Sequence, residues 1–175
     1  MFRLGITGAN GFLGWHLRAH LHHRKDIRVS AANRATLDDP EKLREFVCNV
    51  DGIAHIAAVN RAPDADILEG NINPAEQLVA ACEAADVKPH IVFTNSTQRG
   101  RDTPYGRAKA AAAQRLQHWS DRNNAPFTNL VLPHLFGECG RPFYNSGVAT
   151  FCHQVANGDT PKIIVETELE LMHAQ

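Results

Sequence analysis

"TGANGFLG" (residues 7–14) lies between a short strand candidate, "FRLGIT" (2–7), and "GFLGWHLRAHLHHR" (11–24), where Phe12, Leu13, Leu17 and Leu21 recur near helical spacing. Its glycines, Gly8, Gly11 and Gly14, stand three apart. Glycine lets a turn be tight and lets the backbone come close to a bound group. The helix that follows offers unpaired N–H groups and the positive end of its dipole. Strand, glycine turn and helix in that order predict a pyrophosphate cradle for a dinucleotide, with Gly8, Asn10, Gly11, Phe12, Leu13 and Gly14 as candidate contacts. The spacing is GxxGxxG rather than GxGxxG, so the flanking elements carry as much of the assignment as the glycines do.

Outward from that turn, strand and helix patterns alternate. Strands are expected over 26–33, 51–59, 89–96 and 127–133, with a further one over 162–166. Helices are expected over 39–49, 73–87, 104–123 and 147–158, the second of them turning Leu78, Val79 and Cys82 inward. The polar stretch 60–70 reads as an irregular loop on the substrate side. The strands are apolar runs without two-residue alternation, as when helices cover both faces of a parallel sheet. The expected fold is α/β, a Rossmann-type doubly wound parallel sheet.

Composition narrows the functional classes. The chain has 175 residues, 43% hydrophobic and 21% charged, which suits one globular domain. A net charge of −1 gives no field favouring nucleic acid or an anionic membrane. No run of about 18 apolar residues exists to span a bilayer, and glycines break the N-terminal apolar stretch, unlike a secretion signal. Cys48, Cys82, Cys139 and Cys152 show no metal-ligand spacing, so neither a disulfide framework nor a metal site is expected and a reducing cytoplasm fits. For the histidine-rich "HLRAHLHHRK", a solvated helix face with His16 and His20 stacked is favoured over a metal site.

Two further features point to redox chemistry on a nucleotide. Twenty residues beyond Gly14, where an acidic residue would hold the ribose of NAD, the chain has Asn33 and Arg34. A guanidinium there suits the extra phosphate, so NADP(H) is favoured over NAD(H). In "TPYGRAK" (103–109), Tyr105 and Lys109 stand one helical turn apart and share a face.

Taken in order, "TGANGFLG", "DGIAHIAA", "GNINPAEQL", "IVFTNST", "PYGRAK" and "LPHLFG" resemble the extended short-chain dehydrogenase/reductases, the NAD-dependent epimerase/dehydratase family, over positions 1 to about 140. "AAVNR", the short gap from "NST" to "PYGRAK", and "LFGECGRPFYNSGVATFCHQVANG" are similar to its capsular-polysaccharide reductase branch, whose members form UDP-2-acetamido-2,6-dideoxy-L-talose. The resemblance implies NADPH-dependent reduction of a UDP-linked 4-keto-6-deoxy sugar, by a homodimer. It makes Tyr105 the proton donor and Lys109 the cation that lowers the phenol pKa and binds the nicotinamide ribose. Ser96 would polarise the substrate carbonyl, and Asn71 would stand near the lysine or else cap a helix. Ala57, Ala58 and Pro133 would flank the cofactor at strand ends. An NAD-using epimerase or dehydratase is the alternative within the family; "NSTQRG" lacks the carboxylate that dehydration needs. A non-catalytic NADP-binding module is the alternative outside it.

The sequence departs from the family pattern in three places. His134 stands where an asparagine is usual after the fifth strand. The interval from Arg34 to Asp51 is short, which implies one strand fewer. Family members also run well beyond 175 residues. The expected organisation is a nucleotide-binding domain over 1–140 and the start of an incomplete substrate-binding region over 141–175.

Overall fold

The computed structural model describes residues 1–163, 166 and 168–175. Five parallel strands form its sheet: β1 (Phe2–Thr7), β2 (Ile27–Ala32), β3 (Gly52–His55), β4 (His90–Ser96) and β5 (Phe127–Leu132), in the order β2-β1-β3-β4-β5. The chain reverses direction across the sheet between β1 and β3, which opens a crevice at the carboxyl ends of the strands. Helices connect them: α1 (Phe12–Leu21), the short α2 (Arg34–Leu37), α3 (Pro40–Cys48), α4 (Asp64–Ala85) and α5 (Pro104–Asn123). Between β2 and β3 the short interval holds only α2 and α3, as its length implied.

Local chemistry sets the element ends. Asp39 accepts from the amides of Glu41 and Lys42, and Pro40 opens α3 with a fixed φ. Thr103 Oγ1 accepts from Gly106 N (3.0 Å) ahead of Pro104, which starts α5 where its sequence pattern placed it. Asp86 (φ 51°) and Asn124 (φ 50°) close α4 and α5 in the left-handed conformation.

The two faces of the sheet differ. Under α3, α4 and α5 lies a continuous core that includes Leu43, Val47, Ile53, Leu78, Phe93, Leu116 and Trp119. Cys82 is buried there and Val79 packs against it. Under α1 lies a smaller buried cluster of Ile6, Ala9 and Ala54, with Leu4, Leu17, Val29 and Ile56 packed around it.

Three expectations need correcting, and one pair of strands lay outside them. The third strand ends at His55 rather than at 59, because the chain leaves the sheet there to form the crevice wall. The stretch 60–70 is not a loop throughout: α4 begins at Asp64 and runs unbroken past Pro74, its apolar residues buried against the core. His16 does not stack with His20 in solvent. It is 3% exposed and its Nε2–H donates to Glu138 O (2.9 Å), beside the rings of Phe12 and Trp15. Finally, β6 (His134–Phe136) and β7 (Leu171–His173) form a small parallel pair that no sequence pattern announced. The strand expected over 162–166 lies partly outside the described residues. The last helix, α6 (Gly147–Ala156), forms close to where its periodicity placed it.

All four cysteines are free. Among the described residues, no helix is long and apolar enough to cross a membrane.

Candidate active site

The glycine turn is shaped by contacts that exclude side chains. Gly8 has φ +70°, and a Cβ there would stand 2.6 Å from Ala57 N. A Cβ at Gly14 would stand 2.7 Å from Ala9 Cα, so the first turn of α1 can press against the loop only with glycine in place. Gly11 is the N-cap of α1 and brings no capping side chain, which leaves first-turn amides pointing out of the helix end. Arg18 holds the loop from behind: its Nη1 donates to Ala9 O (3.3 Å) and to Asn10 Oδ1 (3.2 Å). Nothing in the sequence pattern had singled out Arg18.

A crevice of about 1530 Å³ runs from this turn across the carboxyl edge of the sheet. Gly8, Asn10, Gly11, Phe12 and Leu13 line one end of it. Asn33, Arg34, Ala57, Ala58 and Pro133 line its walls, as do Ser96, Tyr105 and Lys109. Of the residues expected from the sequence, Gly14 and Asn71 do not line it: the first supports the turn and the second is buried behind the wall. Asn33 also caps α2, accepting from Thr36 N (3.0 Å). Arg34 is largely exposed and pairs loosely with Asp38 (3.6 Å).

The catalytic candidates come from two elements. Ser96 ends β4, and its Oγ accepts from Gln98 N (3.2 Å), capping the single turn 97–100. Asn95 Oδ1 accepts from Ser96 N (2.8 Å), which fixes the strand end. Tyr105 and Lys109 come from the first turns of α5. Burial pushes the Tyr105 phenol up from its ordinary value. It pulls the Lys109 ammonium, 2% exposed, down to about 7. The lowering of the phenol by Lys109 that the family resemblance implies is opposed here by that burial. Nζ lies 4.2 Å from the Phe93 ring centroid, over its face, and desolvation dominates both groups.

Behind the lysine sits a buried polar set. Thr7 and His55, both fully buried, pair at 2.8 Å between Oγ1 and Nδ1. The His55 ring stacks on Phe93 with centroids 5.6 Å apart. Burial, and then the charge of Lys109, lowers the His55 pKa to about 3, so the ring stays neutral. Asn71 lies inside α4, not at a cap; its Nδ2 donates to Val59 O (2.8 Å) and Ile67 O (2.7 Å). His55 Nε2 and Asn71 Oδ1 meet no protein partner, nor does Nε2 of His134 on the crevice wall.

The arrangement can do three things: receive an anionic group at a bare helix end, present a protonated phenol and a hydroxyl to one crevice, and keep a cation close to its titration point. The cradle that a Cβ would fill, the uncapped amides and the crevice fit a dinucleotide.

Comparison with known proteins agrees with this geometry. The family model described as "NAD dependent epimerase/dehydratase family" matches residues 4–173. The UDP-2-acetamido-2,6-beta-L-arabino-hexul-4-ose reductase of Pseudomonas aeruginosa is 37% identical over 169 residues; the match covers 95% of this chain and 44% of that protein. The capsular polysaccharide assembling protein CapF from Staphylococcus aureus superposes with a TM-score of 0.83 at 31% identity, over 98% of this chain and 46% of that one. The UDP-N-acetylglucosamine 4-epimerase of Bacillus cereus shares the fold, with a TM-score of 0.80 at 19% identity, over 99% of this chain and 68% of that one. The chain thus spans less than half the length of the first two relatives, and it belongs to the NAD-dependent epimerase/dehydratase family.

Proposed function

We propose that this protein reduces a UDP-linked 4-keto-6-deoxy sugar with NADPH, in the cytoplasm, as a step toward surface or capsular polysaccharide. The observation that carries the reading is the meeting of Ser96, Tyr105 and Lys109 on one crevice whose far end is the glycine turn. The reductase name of the relative from Pseudomonas aeruginosa and the capsular role in the name of CapF support the substrate class. On this reading residues 1–140 are the nucleotide-binding domain and 141–175 begin the sugar-binding region.

Gly8, Asn10, Gly11, Phe12 and Leu13 hold the pyrophosphate, and Gly14 keeps α1 close enough to aim its amides. Ala57, Ala58 and Pro133 leave room along the strand ends. Arg34 takes the 2′-phosphate in preference to Asp38, because a phosphate offers more charge than an exposed carboxylate at 3.6 Å. NADPH, when bound, supplies the hydride. Burial keeps the Tyr105 phenol protonated, so it has a proton to give to the carbonyl oxygen as the alcohol forms. Lys109 binds the nicotinamide ribose and, close to neutrality, can pass a proton back to the phenolate. The Ser96 Oγ lone pair is engaged by Gln98 N, which leaves its O–H free to donate to the same carbonyl oxygen. Asn71 supports Lys109 from behind. Homodimer formation would use the outer faces of α4 and α5, although Ala112 and Ala113 of the alanine run are spent on the chain's own core.

The test follows NADPH absorbance after adding a UDP-linked 4-keto-6-deoxy sugar. Consumption of one NADPH per sugar is expected, and Tyr105→Phe should cut the rate by about 10²-fold or more while NADPH fluorescence still reports binding. A second reading is a module that binds NADP(H) without turnover, for which the glycine turn and the crevice suffice. Binding with no consumption by the unaltered chain would favour that reading and refute the first.

A further inference from the structure

The pairing of Thr7 with His55 has a direction. Thr7 Oγ1 accepts from two backbone amides, Ile56 N (3.1 Å) and Ala57 N (3.3 Å). A hydroxyl oxygen has two lone pairs and one proton. With both lone pairs turned to these amides, the first of which Oγ1 shares with Thr7 O (3.2 Å), the short 2.8 Å contact to His55 Nδ1 is read as Thr7 donating and Nδ1 accepting. The proton of the neutral imidazole is then on Nε2, a donor that is fully buried and meets no protein acceptor. Asn71, 2% exposed, presents the complement: its Nδ2 is used twice, and its Oδ1 is an acceptor that meets no protein donor. Lys109 belongs to the same neighbourhood, since its Nζ and the His55 ring both lie against Phe93. A buried donor and a buried acceptor that meet no protein partner are the setting in which an internal water is held.

We propose that His55 is a positioning residue for Lys109: fixed as the Nε2–H tautomer by Thr7, it donates to an internal water that also donates to Asn71 Oδ1 and accepts from the Lys109 ammonium. The proposal rests on the reading of Lys109 as the site's cation, but its test does not need turnover. The water has two lone pairs, one for His55 and one for Lys109, and a proton for Asn71. Without the His55 donor the water loses one of its three anchors, and Lys109 loses a fixed acceptor. The titratable groups tied to the ammonium are Tyr105, one helical turn away on α5, and His55 on β3, whose pKa its charge lowers. Burial is its resolved cause of shift, with no carboxylate contributing. A fixed acceptor for the ammonium would offset that burial.

The first measurement uses the unaltered chain. Long-range proton–nitrogen correlation NMR on ¹⁵N-histidine protein reads which imidazole nitrogen carries the proton. Protonation of Nε2 is expected; a proton on Nδ1 would overturn the proposal whatever the enzyme does. The second follows the Lys109 side-chain ¹³Cε signal against pH, assigned by its loss in Lys109→Met. His55→Leu should move the midpoint down by about 0.5–1 pH unit, and His55→Gln, whose amide nitrogen can reach the Nε2 position, should restore most of it. A midpoint unmoved in His55→Leu, or moved equally in both variants, would show that His55 only packs. If His55→Leu does not fold, Thr7→Val replaces it: freeing Nδ1 should let the tautomers mix, and an unchanged single tautomer would overturn the role given to Thr7. Loss of NADPH consumption with these NMR results intact would count against the proposed reaction, not against the position of His55.

Discussion

The sheet has one thick face and one thin one. Under α3, α4 and α5 the strands bury Trp119, Phe93, Leu116, Leu78 and their neighbours completely, and the Lys109 pocket is set into that same layer. Under α1 the buried cluster is small, Ile6, Ala9 and Ala54; Trp15 on α1 and Leu130 on β5 stay 44% and 42% exposed. The thick face can carry a buried ammonium and a buried neutral imidazole because a large apolar core offsets the cost of desolvating them. The thin face carries the glycine turn, whose shape comes from backbone fit at Gly8 and Gly14 and from Arg18 rather than from side-chain burial. Stability is concentrated on one side, and cofactor shape on the other.

Substitutions can break or sharpen that contrast. Trp119→Ala on the thick face should cost about 3–5 kcal/mol in denaturant unfolding; a loss under 1 kcal/mol would erase the distinction. The pH profile of unfolding should show the buried bases of the same face. The unfolded chain binds more protons than the folded one between pH 3 and 6.5 through His55, and between 7 and 10.5 through Lys109. Stability should therefore rise with pH across both windows, by on the order of 4 kcal/mol each; His55→Gln should flatten the lower one. Gly8→Ala, on the thin face, should cost about 1–3 kcal/mol and abolish measurable NADPH binding; retained binding would remove the turn from the site. Arg34→Ala should leave unfolding within about 0.5 kcal/mol yet reduce the preference for NADPH over NADH, measured by paired titrations. Leu130→Ala, at the exposed edge, should change neither stability nor binding beyond about 0.5 kcal/mol.

The thin face was the more legible of the two in the sequence. Glycine spacing, the strand before it and the helix after it have short-range causes, so "TGANGFLG" located its turn; on the thick face the equally local "TPYGRAK" located the start of α5 to the residue. Crevice-lining positions such as Ala57, Ala58 and Pro133 were reachable through the family pattern. The buried polar set was not. Thr7 and His55 are 48 positions apart, and only the register of β1 beside β3 makes them partners. His16 misled for the same reason: its partner carbonyl belongs to Glu138, 122 positions away. The reach of α4 across 64–72 was hidden by Pro74, which reads as a helix start and is tolerated inside because tertiary packing outweighs its local cost. The pair of β6 and β7 joins two triplets too short for periodicity to register.

The place of Lys109 over the Phe93 ring has a calorimetric consequence. An ammonium resting on an aromatic face, with a midpoint of about 7, is half discharged in neutral buffer. Ribose hydroxyls arriving beside it supply acceptors that favour the charged form, so nucleotide loading should draw protons from solution. The apparent heat of loading would then vary with the ionisation enthalpy of the buffer, and affinity would weaken as the medium is made alkaline.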